Sequence, residues 1–335
     1  MMESATNKKS LKIFIFGGGS LGGLYSHLLS TSEFADVQIT IACRGNYDIV
    51  SQSGFKITTN NWGNHICRPH RVIRDPHEIQ GESYDYVIVT TKVLPQASLP
   101  LARFPLQSDV PIVLIQNGVG IEKPYREAFP ANPIASGVAY ITASQPSPGH
   151  ILQYGAIATM TIGLYDRADN PTDRSKIQYL AALFDASGFP CAATDEIHVE
   201  RWGKLGWNGS WNVVCAATNL DTQSFLASSP QAVELVEKII REVAKTANAV
   251  GVKIDADTLV EERMGWTLKA PPIVPSMLQD ARKGFQMELE AYCGNVWRIA
   301  ESVGVEVPCI KSMYTILATM NWRFMNAPKT ATANM

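Results

Sequence analysis

The sequence predicts an α/β domain with a doubly wound parallel sheet, followed by an all-α domain. Three observations predict it. An apolar run (LKIFIF, residues 11–16) ends in Gly17, Gly18 and Gly19 and opens into a helical pattern over residues 21–29. Further short apolar runs recur with helix-length segments between them. The second half keeps only helical periodicity. The length of 335 residues agrees with two domains, since single cores stop growing near about 250–300 residues.

The elements follow in order. Residues 37–43 (VQITIAC) read as a second strand, 84–90 (YDYVIVT) as a third, 111–115 (PIVLI) as a fourth and 159–163 as one more. Residues 175–187 have helical apolar spacing that stops at Gly188. From about Asp195 the pattern changes, and residues 199–217, 231–250, 275–303 and 309–324 each read as helix. The expected domains are therefore 1–195 and 196–335, with a small-residue, disordered tail over 327–335.

Composition excludes several function classes. A net charge of −2 leaves no basic excess for a phosphate backbone, so a small molecule is expected as partner and nucleic acid is not. Lys8 and Lys9 precede only six apolar-rich residues, too few for a signal-peptide core or a membrane span, so a cytoplasmic protein is expected. The six cysteines are scattered without a C-x-x-C pair and read as reduced, mostly buried thiols. His65, Cys67 and His70 lie in a polar, loop-like stretch (60–69) without a fourth ligand nearby, so no metal is expected there.

The first turn spells G-x-G-x-x-G as Gly17, Gly19 and Gly22. Such spacing lets the backbone turn sharply, approach a pyrophosphate and pack the helix on its strand, with the helix N-terminus facing the phosphates. Following an apolar strand and opening a helix, it reads as the dinucleotide site of a Rossmann-type domain, with Ser20 and Leu21 inside the fingerprint. The end of the second strand carries Arg44, whose planar guanidinium suits a 2′-phosphate, so NADPH/NADP+ is expected. Asp48 lies just beyond and keeps NAD as the minority option. Thr90, Thr91 and Lys92, and Gln116 to Gly120 with Asn117, end later strands and point to the crevice where the nicotinamide half belongs.

In the second half, RWGKLGWNGSWN (201–212) places Lys204, Asn208 and Asn212 four residues apart. On an α-helix that spacing drifts by only about 40° per step, so an amine and two amides share one face. Gly206 and Gly209 lower helix propensity, so a functional stripe explains the sequence better than propensity does. An ammonium beside a carbonyl can polarise it and protonate the forming alkoxide, which makes Lys204 the candidate acid of a ketone reduction. Ser276 reads, from composition alone, as the N-cap of a long helix that also carries Glu288 and Glu290 facing water.

Taken together, these residues resemble the ketopantoate reductase family (2-dehydropantoate 2-reductases), in its eukaryotic-like branch, over nearly the whole chain. The matching marks are Gly17, Gly19 and Gly22, then Arg44, Lys92 and Asn117 to Gly120, with Pro148, Gly149 and Gly155 before the domain junction. The K-x-x-x-N-x-x-x-N pattern falls on Lys204, Asn208 and Asn212, and S-M-L-Q-D with a later Glu falls on Ser276 and Glu288. The resemblance implies reduction of 2-dehydropantoate to pantoate in pantothenate biosynthesis, with Lys204 as general acid and Glu288 as its catalytic support. It implies substrate binding by Asn208, Asn212, Ser276 and Asn117, and cofactor binding by Gly17, Gly19, Ser20, Leu21, Gly22, Arg44, Lys92 and Asn117. The family pattern E-x-D-x-x-N-G reads here as Glu288, Glu290, Cys293 and Gly294, so an acidic group is longer and an amide becomes a thiol. The alternatives carried forward are a relative that reduces another 2-oxo acid or ketone in specialised metabolism, and a non-catalytic NADPH-binding sensor. A 3-hydroxyacid dehydrogenase would share the two-domain plan, but no S-G-G type loop is present at the junction. A homodimer is left open.

Overall fold

The computed structural model describes residues 8–94, 106–166 and 170–326; the expected tail over 327–335 lies outside them. The backbone divides into two compact units with the main boundary between Ile197 and His198, and Val93 and Asn117–Ile121 belong with the second. Among the described residues no helix is long and apolar enough to cross a membrane.

In the first unit, Ser10–Phe16 forms β1, and its buried Ile13, Phe14, Ile15 and Phe16 explain why the run is apolar from Ile13 onward. The glycine turn leads into α1 (Ser20–Ser30), then β2 (Asp36–Ala42), α2 (Tyr47–Ser53), β3 (Phe55–Thr59), β4 (Gly63–Cys67) and β5 (Arg71–Ile73). After these come β6 (Tyr86–Val89), β7 (Ile112–Leu114), α3 (Lys123–Ala128), β8 (Ile134–Ser147), β9 (His150–Leu164), α4 (Pro171–Ala186) and β10 (Cys191–Ala193). Strands β5, β2, β1, β6, β7 and β8 lie side by side and all parallel, so the chain runs outward from β1 in both directions. That is the order of a doubly wound dinucleotide fold. The sheet then continues antiparallel from β8 to β9, with β3 parallel to the first part of β9, β4 antiparallel at the edge, and β10 parallel to the end of β9.

Two expectations are corrected here. The stretch expected as loop around residues 60–69 holds edge strand β4, whose first four residues are exposed, so no alternation of apolar and polar residues marks it. His65 of that strand stacks on His27 with ring centroids 4.4 Å apart, and Cys67 Sγ lies 3.7 Å from Ser26 Oγ. The single strand expected at 159–163 is the end of the long β8–β9 hairpin.

The second unit starts from one nearly unbroken helix: α5 (Ile197–Trp207), a π-helical turn over Asn208–Asn212, and α6 (Val213–Thr218). Trp211, Val213, Val214 and Cys215 are fully buried and anchor it. It is joined by α7 (Thr222–Ser228), α8 (Gln231–Ala249), α9 (Ala256–Lys269), α10 (Ser276–Arg282), a second π-helical turn over Glu290–Gly294, α11 (Asn295–Ser302) and α12 (Pro308–Asn326). Buried Glu242 of α8 accepts from the backbone amides of Cys309 and Ile310, at 2.9 and 2.8 Å, where a carboxylate meets the free amides of a helix start.

The single helix expected over 275–303 is two. α10 ends near Lys283, Gly284 takes a left-handed φ of 66°, and a stretch of irregular backbone follows to Glu288. Asn321 clamps that stretch by bonding both the amide and the carbonyl of Met287, at 2.9 and 3.1 Å.

Candidate active site

The glycine turn is built from backbone. Gly17 has a left-handed φ of 125°, and a Cβ there would press on Thr90 Oγ1 and the Thr91 amide, each 2.9 Å away. A Cβ on Gly22 would overlap the carbonyl oxygen of Gly17, so α1 rests on the turn itself. Gly19, by contrast, is exposed with nothing within 4 Å of a Cβ position. It is the N-cap of α1 without any side-chain cap, so the first amides of α1, from Ser20 and Leu21 onward, can serve an anion. Thr90 Oγ1 donates to the Gly17 carbonyl at 2.8 Å, and Asn46 Nδ2 donates to the Gly18 carbonyl at 2.6 Å. The turn thus has the shape and the open donors that a pyrophosphate requires.

Arg44 is exposed at the end of β2, beside Gly45, where a Cβ would also meet nothing within 4 Å. Asp48, the acidic group that kept NAD open, is ion-paired with Arg74 at 2.6 Å. Arg74 also lies over the Tyr47 ring, 4.5 Å from its centroid. Arg74, which sequence reading missed, therefore offsets the Asp48 charge, and the exposed Arg44 is the group there suited to a 2′-phosphate. Its signal was available only as an arginine just past an edge strand too short to recognise. Lys92 is exposed beyond β6.

The second group of site residues is built from side chains drawn from four segments of the second unit. Lys204, near the end of α5, is half-buried and its Nζ donates to Asn117 Oδ1 at 2.7 Å. Burial together with the neighbouring Arg201 guanidinium pushes the Lys204 ammonium down to about 7, against a pull upward from Glu288. Asn208 and Asn212 are buried in the π-turn, with Asn212 Nδ2 donating to Asn208 Oδ1 at 3.3 Å. Asn212 Oδ1 in turn accepts from Ser276 Oγ at 3.1 Å and from the Met277 amide at 3.0 Å.

The Asn117 loop is fastened in place by close backbone packing. Gly118 has a φ of 93°, and a Cβ there would overlap the Ala291 carbonyl. Its own carbonyl accepts from Arg201 at 2.8 Å, and Asn295 Nδ2 donates to the Val119 carbonyl at 2.8 Å. The Asn-Gly pair expected to face the nicotinamide half is thus needed for the local architecture as well, because it brings Asn117 to Lys204.

Three expectations about this region change. Lys204, Asn208 and Asn212 do not lie on a uniform α-helix, because the turn widens to π from Asn208, a feature frequent at functional sites. Ser276 makes no N-cap bond; Pro275 holds that position and the serine hydroxyl is spent on Asn212. Glu288 is neither on the Ser276 helix nor facing water, since it is buried and accepts from the Val93 amide at 2.9 Å. Glu290 is turned to Arg298 and Tyr314, and Cys293 is fully buried, so both departures from the family pattern are absorbed by packing. Trp211 is core, and Trp207 bonds Thr267 Oγ1 at 2.9 Å and meets Trp266 edge-on.

Comparison with known proteins follows the same division. The family model described as ketopantoate reductase PanE/ApbA matches residues 13–167, and its C-terminal counterpart matches 196–321. A 2-dehydropantoate 2-reductase of Nostoc sp. is 28% identical over 93% of this chain and 96% of its own length. An uncharacterised protein of Saccharomyces cerevisiae is 26% identical over 91% of this chain and 92% of its own length. The crystal structure of 2-dehydropantoate 2-reductase from Methylococcus capsulatus superposes with a TM-score of 0.82 at 30% identity, over 94% of this chain and 98% of that one.

Proposed function

The chain belongs to the ketopantoate reductase family of NADP-dependent oxidoreductases acting on CH–OH groups, and on that premise we propose that it reduces 2-dehydropantoate to pantoate with NADPH. The observation that carries the reading is Lys204, held by Asn117 and pushed down to about 7, beside three further polar side chains on Asn208, Asn212 and Ser276. An acid whose pKa lies near neutrality is poised both to keep its proton and to surrender it.

In this reading Gly17, Gly19, Ser20, Leu21 and Gly22 hold the cofactor's phosphates, Arg44 its 2′-phosphate, and Lys92 and Asn117 contribute toward its nicotinamide half. NADPH supplies the hydride when bound. Lys204 hydrogen-bonds the substrate's keto oxygen, lowers the cost of negative charge on it, and passes one proton to it as the alkoxide forms. The neutral amine left behind regains a proton from solvent. Asn208, Asn212 and Ser276 orient the substrate through donors and acceptors of fixed direction. Glu288 favours the charged form of Lys204, which keeps the acid loaded between turnovers.

The domain roles follow: the first unit binds NADPH, and the second carries substrate and acid. Steady-state NADPH oxidation with 2-dehydropantoate, beside a panel of bulkier 2-oxo acids, tests the proposal. Preference for 2-dehydropantoate is expected. Efficient reduction of another oxo acid with negligible 2-dehydropantoate turnover would reassign the substrate, and NADPH binding without oxidation by any oxo acid would make the protein a sensor.

A further inference from the structure

Tyr292 stands in the π-turn over Glu290–Gly294, which packs against the π-turn of Asn208–Asn212 through its own backbone: a Cβ on Gly209 would lie 3.3 Å from the Tyr292 carbonyl. The residue is 1% exposed, and among the described residues its hydroxyl closes no hydrogen bond. A buried phenol without a partner is costly, and a phenylalanine would fill the same space without that cost. Its neighbours are the side chains already assigned to the substrate. Asn117 and Ser276 stand within hydrogen-bonding reach of the hydroxyl without closing a bond of normal geometry to it, since Asn117 Oδ1 is engaged by Lys204 and Ser276 donates to Asn212. A substrate that engages Asn117 and Ser276 therefore comes within reach of the phenol.

We propose that Tyr292 is a specificity-determining residue of this reductase, whose phenol donates a hydrogen bond to the hydroxyl group of the substrate. This rests on the reading of the chain as a reductase of 2-dehydropantoate. The choice of the hydroxyl over the carboxylate follows from charge. Glu288 and Asp280 both face the phenol and, with burial as the larger cause, hold it protonated well above its ordinary range. A donor is thereby secured, and a third negative charge beside two carboxylates is disfavoured. A substrate hydroxyl, neutral and able both to accept from Tyr292 and to donate to Glu288, satisfies every group present. A site built to hydrogen-bond a substrate hydroxyl discriminates strongly against the analogue that lacks it.

The test compares wild type and Tyr292→Phe, each saturated with NADPH, on 2-dehydropantoate and on 3,3-dimethyl-2-oxobutanoate, which is the same acid without the hydroxyl. The expected result is a loss of about tenfold in kcat/KM for 2-dehydropantoate, chiefly through KM, with the value for the analogue unchanged. Equal kinetics in wild type and variant, or an equal loss on both compounds, overturns the assignment. Absence of wild-type turnover on 2-dehydropantoate overturns the underlying reading as well, and is seen before any variant is made. A ternary structure with NADP+ and pantoate reads the contact without a substitution: a product hydroxyl bonded to the phenol supports it, and one bonded elsewhere overturns it.

Discussion

At the end of β1 the groups offered to a ligand belong to the backbone, and the side chains there are chiefly missing ones: Gly17, Gly19 and Gly22. Around Lys204 the reverse holds, since Asn117, Asn208, Asn212, Ser276, Glu288 and Tyr292 are all side chains, brought together from four segments. The first arrangement recognises what every dinucleotide has in common, a pyrophosphate approached closely. The second, in the proposed reading, serves one reaction, and it depends on packing: the Gly118 contact with Ala291, the Asn321 clamp on Met287 and two facing π-turns.

This contrast can be broken from either side. Removing the acid leaves the backbone site intact, so Lys204→Ala should lower kcat by about 10²–10⁴-fold while NADPH affinity, read by fluorescence titration, stays nearly unchanged. A comparable loss of cofactor binding would show that the two regions are not separable. Adding one methyl group to the backbone site should do the opposite: Gly22→Ala meets the Gly17 carbonyl and is expected to cost about 1–3 kcal/mol of stability, seen as a lower Tm together with weakened NADPH binding. A side chain of the first region sharpens the comparison. Arg44→Ala should weaken NADPH by about tenfold to hundredfold while leaving NADH nearly untouched, and equal discrimination in both proteins would remove Arg44 from 2′-phosphate recognition.

The same contrast explains what could be read from the sequence. The glycine turn is legible because a backbone site is written as spacing within six residues after a strand whose last four residues are buried. Lys204, Asn208 and Asn212 are legible for a similar reason, being local to one helix, though nothing in their spacing announces the π-turn. Ser276 and Glu288 are recoverable only through family resemblance. From residue types alone they read as a cap and a solvated acid, because the break at Gly284 and the burial of Glu288 depend on contacts with Asn321 and Val93 far along the chain. Strands β3, β4 and β5 escape notice because none is a continuous apolar run: β3 alternates, β4 is exposed over its first four residues, and β5 is three residues opening on an arginine. Tyr292 carries no signal in the sequence, since a phenol without a partner is visible only once its neighbours are placed.

The most direct test of the account is the pH dependence of single-turnover NADPH oxidation by 2-dehydropantoate. The Lys204 ammonium titrates at about 7, so the proton-donating form is complete below that value and is lost above it. The rate should therefore be level on the acid side and fall about tenfold per pH unit once pH has risen through about 7. In Lys204→Ala the residual rate should show no such falling limb. A limb of the same midpoint in the variant, or a level profile in the wild type from about pH 6 to about pH 9, would contradict the assignment of Lys204 as the acid.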